Sequence, residues 1–381
     1  MITFILIVLT VYILTNLYIF LKGFNVIHEL GNSKLTYSIP FIILSSVFIA
    51  GKFLERNNSS VFTDMLNIIG GFWLAFMLYG FLLLLLSDIS LGFNKFFHFI
   101  PAGSIINFKK WSFFTSIIIT SLAILIGFVI AVTPIVRKYD ITINKQVTGV
   151  NKLRIAAVSD IHLGSIIRKR SMNILSKMLT DLKPDLTLFL GDIVDGEIGP
   201  VLRDDLLSEF KCPDCLSGVY AITGNHEYIG GAYRTIPYIE SKGFRVLKDE
   251  VITLPQGIQL IGRLDRDSFR FTGKERLPLE ELMKNVDRSK PIILLDHQPF
   301  NLGITEKNEI DLQLSGHTHK GQMWPITYII KKIYEVGYGY KRKGNTQVIV
   351  SSGFGVWGTR IRLGSRSEVL LINITFSGNE E

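Results

Sequence analysis

The five histidines that follow residue 150 all sit in short acidic or glycine-bracketed blocks. These read Ser159-Asp160-Ile161-His162, Gly224-Asn225-His226-Glu227, Asp296-His297 and Gly316-His317-Thr318-His319. A fifth block, Gly191-Asp192-Ile193-Val194-Asp195, has no histidine but adds carboxylates. Imidazole, carboxylate and amide oxygen are the donors that bind borderline divalent metals. A pair of such ions needs one carboxylate between them and further nitrogen or oxygen ligands on each. Asp192, on a turn begun by Gly191, suits the shared position. Asp160 and His162 alternate at a strand end and can reach one ion. Asn225 offers an amide oxygen, and His297, His317 and His319 offer imidazoles, the last two divided between the ions.

Something must bring these blocks together, and the residues before each one supply it. Leu153–Val158, Leu186–Leu190, Val219–Ile222, Ile292–Leu295 and Leu312–Leu314 are short apolar runs that end at Asp160, Asp192, Asn225, His297 and His317. Their Ile, Val and Leu content predicts strands buried on both faces. Arg170–Leu182 has apolar residues at helical spacing and is stopped by Pro184. The βαβ alternation predicts an α/β domain, whose ligands gather at the carboxyl ends of the strands. Gln259–Gly262, Gln347–Ser351 and Glu368–Ile374 predict a second sheet packed on the first.

The first third of the chain is different. A hydrophobic fraction of 48% in 381 residues exceeds that of an ordinary soluble enzyme. Ile2–Phe20, Ser38–Leu54, Leu66–Leu86 and Phe113–Val136 approach or exceed the roughly 20 apolar residues that cross a bilayer. The expected division is a membrane domain over 1–136, a linker over 137–152 and a catalytic domain over 153–381. The connection Ile89–Phe108 is aromatic for a loop and suggests an interfacial segment. His28 and His98 belong to this part and read as structural.

Four spans put the amino terminus and the catalytic domain on one side. Basic residues flank both faces, so the positive-inside rule gives little bias. The uncharged start before Lys22 leans toward an extracytoplasmic domain. The net charge of +8 is spread along the chain, which fits membrane anchoring rather than nucleic acid. Cys212 and Cys215 are too few for a closed zinc site; a disulfide and two surface thiols both remain open.

The blocks D-x-H, G-D-x-x-D, G-N-H-E, a single His and G-H-x-H, in this order from Leu153 to Ile374, resemble the calcineurin-like metallophosphoesterase family. The resemblance implies a two-sheet β-sandwich flanked by helices, here preceded by four transmembrane helices. It implies two divalent ions, with Mn, Fe, Zn and Co all compatible. One would be held by Asp160, His162, Asp192 and His319, the other by Asp192, Asn225, His297 and His317. A hydroxide between the ions would be the nucleophile on a phosphodiester or pyrophosphate bond. His226 resembles the phosphate-contacting histidine that protonates the leaving group, with Asp195 orienting it. Glu227 resembles a supporting residue behind the ligands, and ordinary turn partners are the alternative for Asp195 and Glu227.

Gly316–Gln322, Pro325, Ser352–Gly355 and Arg360–Gly364 further resemble a membrane-associated bacterial branch that includes UDP-2,3-diacylglucosamine hydrolase-like enzymes. That implies a bacterial cell membrane and a lipid headgroup as substrate. Lys320 departs from the small residue expected after the second histidine. Trp324–Lys343, rich in Trp, Tyr, Ile and Lys, reads either as a lip on the bilayer or as a hairpin packed on the domain. Two rival functions are a membrane sensor with little hydrolase activity and a silent metal-binding module. Transport is disfavoured because the spans carry almost no ionisable residues.

Overall fold

The computed structural model describes residues 2–31, 33–211 and 218–378. Cys212 and Cys215 lie outside the described residues. The chain divides into two compact units, Met1–Phe128 with Gly358–Ile361, and Val129–Trp357 with Arg362–Glu381.

The first unit contains four long helices, α1 (Ile2–Glu29), α2 (Lys34–Asn57), α3 (Val61–Phe97) and α4 (Ile105–Val132, which ends in the second unit). All four are long and apolar enough to span a bilayer. Ser60 starts α3 with a capping box, its Oγ accepting from Thr63 N at 3.2 Å while Ser60 N donates to Thr63 Oγ1 at 2.9 Å. Gly70 lets α3 approach α2 closely, since a Cβ there would meet Phe48 Cα at 2.5 Å. Trp73 Nε1 donates to Asn16 Oδ1 at 2.9 Å, which satisfies both polar groups among apolar neighbours.

Two sequence expectations change here. The aromatic stretch read as a loop from Ile89 is still helix as far as Phe97, because α3 continues without a breaker until His98 takes a left-handed conformation. The fourth span ends at Val132, and Ile135 and Val136 already belong to a strand.

The second unit contains two six-stranded mixed sheets with helices between the strands. The first has the order β1-β12-β2-β3-β4-β5, comprising β1 (Ile135–Ile143), β12 (Glu368–Phe376), β2 (Lys152–Val158), β3 (Leu186–Phe189), β4 (Val219–Ile222) and β5 (Arg245–Leu247). The second has the order β10-β11-β9-β8-β7-β6, comprising β10 (Gly339–Lys343), β11 (Thr346–Val350), β9 (Leu312–Ser315), β8 (Ile292–Leu295), β7 (Gln259–Gly262) and β6 (Glu250–Thr253). β2 to β5 run parallel, and so do β7, β8, β9 and β11. The stretch read as a linker contributes β1, which pairs in parallel with β12 and buries Ile141 and Ile143.

The core lies between the sheets. Ile155 and Ala157 of β2 meet Leu188 of β3, Ile293 and Leu295 of β8, and Leu312 and Leu314 of β9 in one buried cluster. Ile292 and Leu294 point the other way, into a second cluster with Leu279, Leu282 and Ile310. A strand apolar on both faces must be covered on both, which is why these runs carry no alternation. β2, β3, β4, β8 and β9 all end at the same rim, and the histidine blocks begin there.

Candidate metal centre

At each strand end the chain turns sharply out of the sheet. Asp160, His162, Asp192, His317 and His319 all have φ between 48° and 69°, the left-handed region that non-glycine residues seldom occupy. Several such residues at one rim mark a place where geometry has been fixed for a purpose other than local comfort. The turns interlock through backbone bonds. Asp160 N donates to Gly191 O at 3.1 Å, His162 N to Asp192 O at 3.0 Å and Gly316 N to His297 O at 2.9 Å. Gly224 is required by proximity, because a Cβ there would collide with Asp192 Oδ1.

The side chains then converge. Donor atoms of Asp160, His162 and His319 lie within 4.8 Å of one another, and so do those of Asp192, His297 and His317. His162 Nε2 is 3.0 Å from His319 Nε2, and His319 Nε2 is 3.4 Å from Asp160 Oδ1. Asp192 Oδ2 stands between the groups, 3.8 Å from His162 Nε2 and 3.2 Å from His297 Nε2. His317 Nδ1 lies 3.0 Å from Asn225 Oδ1. The seven residues proposed from the sequence as ligands are therefore brought to one place, and a further cluster of His162, Asp195 and His226 adjoins them.

The donors suit divalent cations. Ligands bound at roughly 2.0–2.2 Å to a common ion sit roughly 3–3.5 Å apart, the spacing of the tighter pairs here. His297 Nε2 is buried and has no aligned hydrogen bond, although it faces Asp192. Its other nitrogen donates to Leu190 O at 2.6 Å, so Nε2 is the atom that can offer a lone pair to a cation once its proton is displaced. Burial lowers His317 to about 3. Burial, with His162 and Arg362, also holds His319 well below the usual range. Both rings are thus neutral, as a ligand must be. His297 behaves oppositely: burial pushes it down, but Asp192 and Asp160 outweigh that and raise it well above the ordinary value. A proton and a cation compete for that carboxylate-rich position.

His226 and Asp195 lie beside the ligands. His226 Nδ1 is 2.9 Å from Asp195 Oδ1, and the His226 ring stands edge-on to His162 at 4.5 Å. Burial pushes His226 down, but Asp192 and Asp195 outweigh it and bring its pKa to about 9. A cation held by Asp192 would cancel part of that rise. Asp195 Oδ1 also lies 3.5 Å from His162 Nδ1, so one carboxylate faces both rings.

Glu227 has a supporting role. Its Oε2 accepts from Asp192 N at 3.0 Å and Gly224 N at 2.7 Å, and its Oε1 accepts from Val194 N at 3.0 Å. It is fully buried, and this burial together with the Asp192 charge pushes its pKa up to about 7. Both oxygens already receive N–H donors, so the carboxylate is the form that fits.

Arg362 was not singled out as a site residue by the sequence. It is fully buried, with Nη2 donating to Gly353 O at 3.1 Å and Gly355 O at 2.6 Å, and lying 3.3 Å from His319 Nδ1. The glycine loop it grips is bonded to the first ligand turn through Phe354 N→Ser159 O and Gly355 N→Asp160 O, both at 2.8 Å. An arginine between Ile361 and Leu363 was the available signal. Ser159, whose Oγ bonds Asp160 Oδ2, left none.

The sequence model described as Calcineurin-like phosphoesterase matches residues 153–321. An uncharacterized metallophosphoesterase of Aquifex aeolicus is 33% identical over 247 residues, covering 64% of this chain and 93% of that protein. A transmembrane protein with metallophosphoesterase domain from Bos taurus is 29% identical over 272 residues; the match spans 67% of this chain and only 60% of that protein. Among solved structures, the 5'-nucleotidase precursor from Thermus thermophilus aligns at 16% identity with a TM-score of 0.36, over 58% of this chain and 55% of that one.

Proposed function

The chain belongs to the calcineurin-like metallophosphoesterase family, and from that premise we propose that it is a membrane-anchored hydrolase of phosphodiester or pyrophosphate bonds in lipid headgroups, working with two divalent cations. In this reading Asp160, His162, Asp192 and His319 hold one cation, and Asp192, Asn225, His297 and His317 hold the other. The observation that carries it is Asp192, whose Oδ2 faces both histidine groups at 3.2 and 3.8 Å. Cations bound there supply Lewis acidity and lower the pKa of water.

The chain's own residues do the rest. Asp195 holds Nδ1 of His226, so Nε2 is the ring atom that gives a proton to the departing oxygen. Glu227 and Arg362 keep the ligand turns in register from behind. The four apolar helices support a lipid substrate, because a tethered site meets membrane lipids at high effective concentration. We propose the finer kinship with UDP-2,3-diacylglucosamine hydrolase-like enzymes, and an extracytoplasmic catalytic domain in a bacterial membrane, on the motifs and on the uncharged start before Lys22. The functional division we propose is an anchor up to Val132 and a hydrolase over 153–381, with the stretch between them lending β1 (Ile135–Ile143) to the hydrolase sheet.

The test uses the full chain in detergent micelles with Mn²⁺ and bis-p-nitrophenyl phosphate. Hydrolysis by the parent and its loss in Asp192→Ala, together with lower bound metal, is the expected result. A parent that binds metal fully yet hydrolyses neither this ester nor lipid phosphodiesters would overturn the proposal.

A further inference from the structure

Lys320 follows His319 directly, and it borders a cleft that the ligand cluster does not use. The cleft encloses about 290 Å³ between the helix Ile326–Ile333 and β10. That is near the lower end for small-molecule pockets, which run to roughly 300 Å³ and above. Lys320, Lys331 and Lys341 border it, and Tyr334, Tyr338 and Tyr340 form its aromatic walls. The cleft adjoins the metal-ligand turn. Thr318 Oγ1 donates to Gly337 O at 2.6 Å, and the Tyr334 ring lies 6.3 Å from the His317 ring.

The charge in this cleft is available to a ligand. Glu335, the acid in the lining, is bonded by Lys341 at 3.0 Å and by Lys343 at 2.9 Å. Lys320 Nζ rests 4.5 Å from the centre of the Tyr338 ring. Among the described residues, no carboxylate lies within ion-pair distance of Lys320 or Lys331. An ammonium over an aromatic face keeps its charge for an incoming anion. The walls are fixed in advance, since Tyr338 Oη donates to Glu368 Oε2 and Tyr340 Oη to Gln347 Oε1, both at 3.2 Å. Tyr334 packs on Phe300 with ring centres 4.6 Å apart.

We infer that this cleft is the subsite for a second phosphate of the substrate, with Lys320 as its main contact and the tyrosines flanking the attached group. The inference rests on the phosphoesterase reading of the neighbouring cluster. It makes Lys320 a specificity-determining residue that separates substrates with two phosphates from simple diesters. A pyrophosphate-linked lipid headgroup and a soluble nucleoside diphosphate sugar share this chemistry.

The full chain in micelles, loaded with Mn²⁺, is assayed on bis-p-nitrophenyl phosphate, on a nucleoside diphosphate sugar and on vesicles carrying a pyrophosphate-linked lipid. Lys320→Gln should raise KM about tenfold on a two-phosphate substrate, the loss of one charge-assisted contact. KM on bis-p-nitrophenyl phosphate should stay within about twofold, and Lys320→Arg should restore the parent value. A change confined to the vesicles assigns the second phosphate to a lipid; one confined to the sugar nucleotide assigns it to a soluble substrate. In parallel, metal-free protein in EDTA is dialysed against radiolabelled inorganic pyrophosphate, which the parent should bind and Lys320→Gln should lose. No pyrophosphate binding by the metal-free parent, or equal KM changes on one- and two-phosphate substrates, overturns the subsite. A parent inactive on every ester that still binds pyrophosphate through Lys320 supports the cleft and overturns only the hydrolase reading.

Discussion

Replacing Glu227 with glutamine isolates the scaffold behind the metal ligands from the ligands themselves. The carboxylate accepts three backbone N–H groups, on two turns that carry Asp192 and Asn225. A glutamine oxygen at the Oε2 position keeps the bonds from Asp192 N and Gly224 N but weakens them, because the acceptor is no longer charged. Its NH₂ group then faces the N–H of Val194, and that donor is left buried and unpaired. Losing a bond to a charged acceptor costs roughly 1.5–3 kcal/mol, and weakening the other two adds about 1 kcal/mol each. Removing a buried charge returns part of this. The net expectation is about 3 kcal/mol of lost stability. In a unit of this size 1 kcal/mol moves the melting temperature by about 2–4 °C, so Glu227→Gln should melt about 6–12 °C below the parent. Thermal unfolding of the full chain in micelles is followed by residual phosphoesterase activity and by intrinsic fluorescence, with and without EDTA. A variant melting within about 2 °C of the parent in both conditions would refute the argument. The carboxyl would then be protonated, or the two turns would be held by something else.

Three further outcomes are expected. His226→Ala should lower kcat by about 10²–10⁴-fold while bound metal, measured by atomic emission, stays at the parent level, because the role proposed for the ring is proton transfer and not ligation. Stripping the metal should lower the melting temperature by about 5–11 °C relative to protein held at a hundredfold excess of metal over its dissociation constant, about 2.7 kcal/mol of linkage; no shift would mean that the cluster binds no cation in the folded state. Gly224→Ala should weaken metal affinity and lower stability together, since its Cβ would press on both the carboxylate and the backbone nitrogen of Asp192; competition with a fluorescent chelator and thermal unfolding measure this.

The strands were legible because each is a short run of aliphatic residues that stops where the chemistry starts. Leu186–Phe189 and Ile292–Leu295 needed only length and composition to be recognised. The candidate ligands were legible for a related reason: histidine is rare in this chain, and every copy after residue 150 follows a strand closely. The supporting residues were harder. Arg362 and Glu368 are charged groups with no exposed surface. Arg362 bonds the carbonyls of Gly353 and Gly355, and Glu368 takes the Arg137 guanidinium and the Ser352 amide, pairings that no local pattern announces. The strand β1 was hidden because alternation of Ile141 and Ile143 in a short polar stretch suits an edge strand and an extended linker equally well. The aromatic end of α3 was misread as loop because composition alone does not separate an interfacial loop from a helix that runs past the apolar stretch.

The place of β12 in the first sheet bears on how the catalytic unit is made. Residues 368–376 pair with 135–143 on one side and with 152–158 on the other. Until a ribosome has delivered that segment, β1 has no neighbour in the sheet and the outer edge of β2 is open. All the metal-binding blocks are synthesised before the sheet that aims them can close. Metal loading should therefore follow translation, and folding of this unit should be slow, as long-range pairing requires. During that interval the strand edges are unpaired, the stage at which chaperone protection matters most. A nonsense mutation just before Glu368 would remove no candidate ligand, yet it would leave β1 unpaired and one edge of β2 open, and so yield an aggregating protein rather than a weakened enzyme.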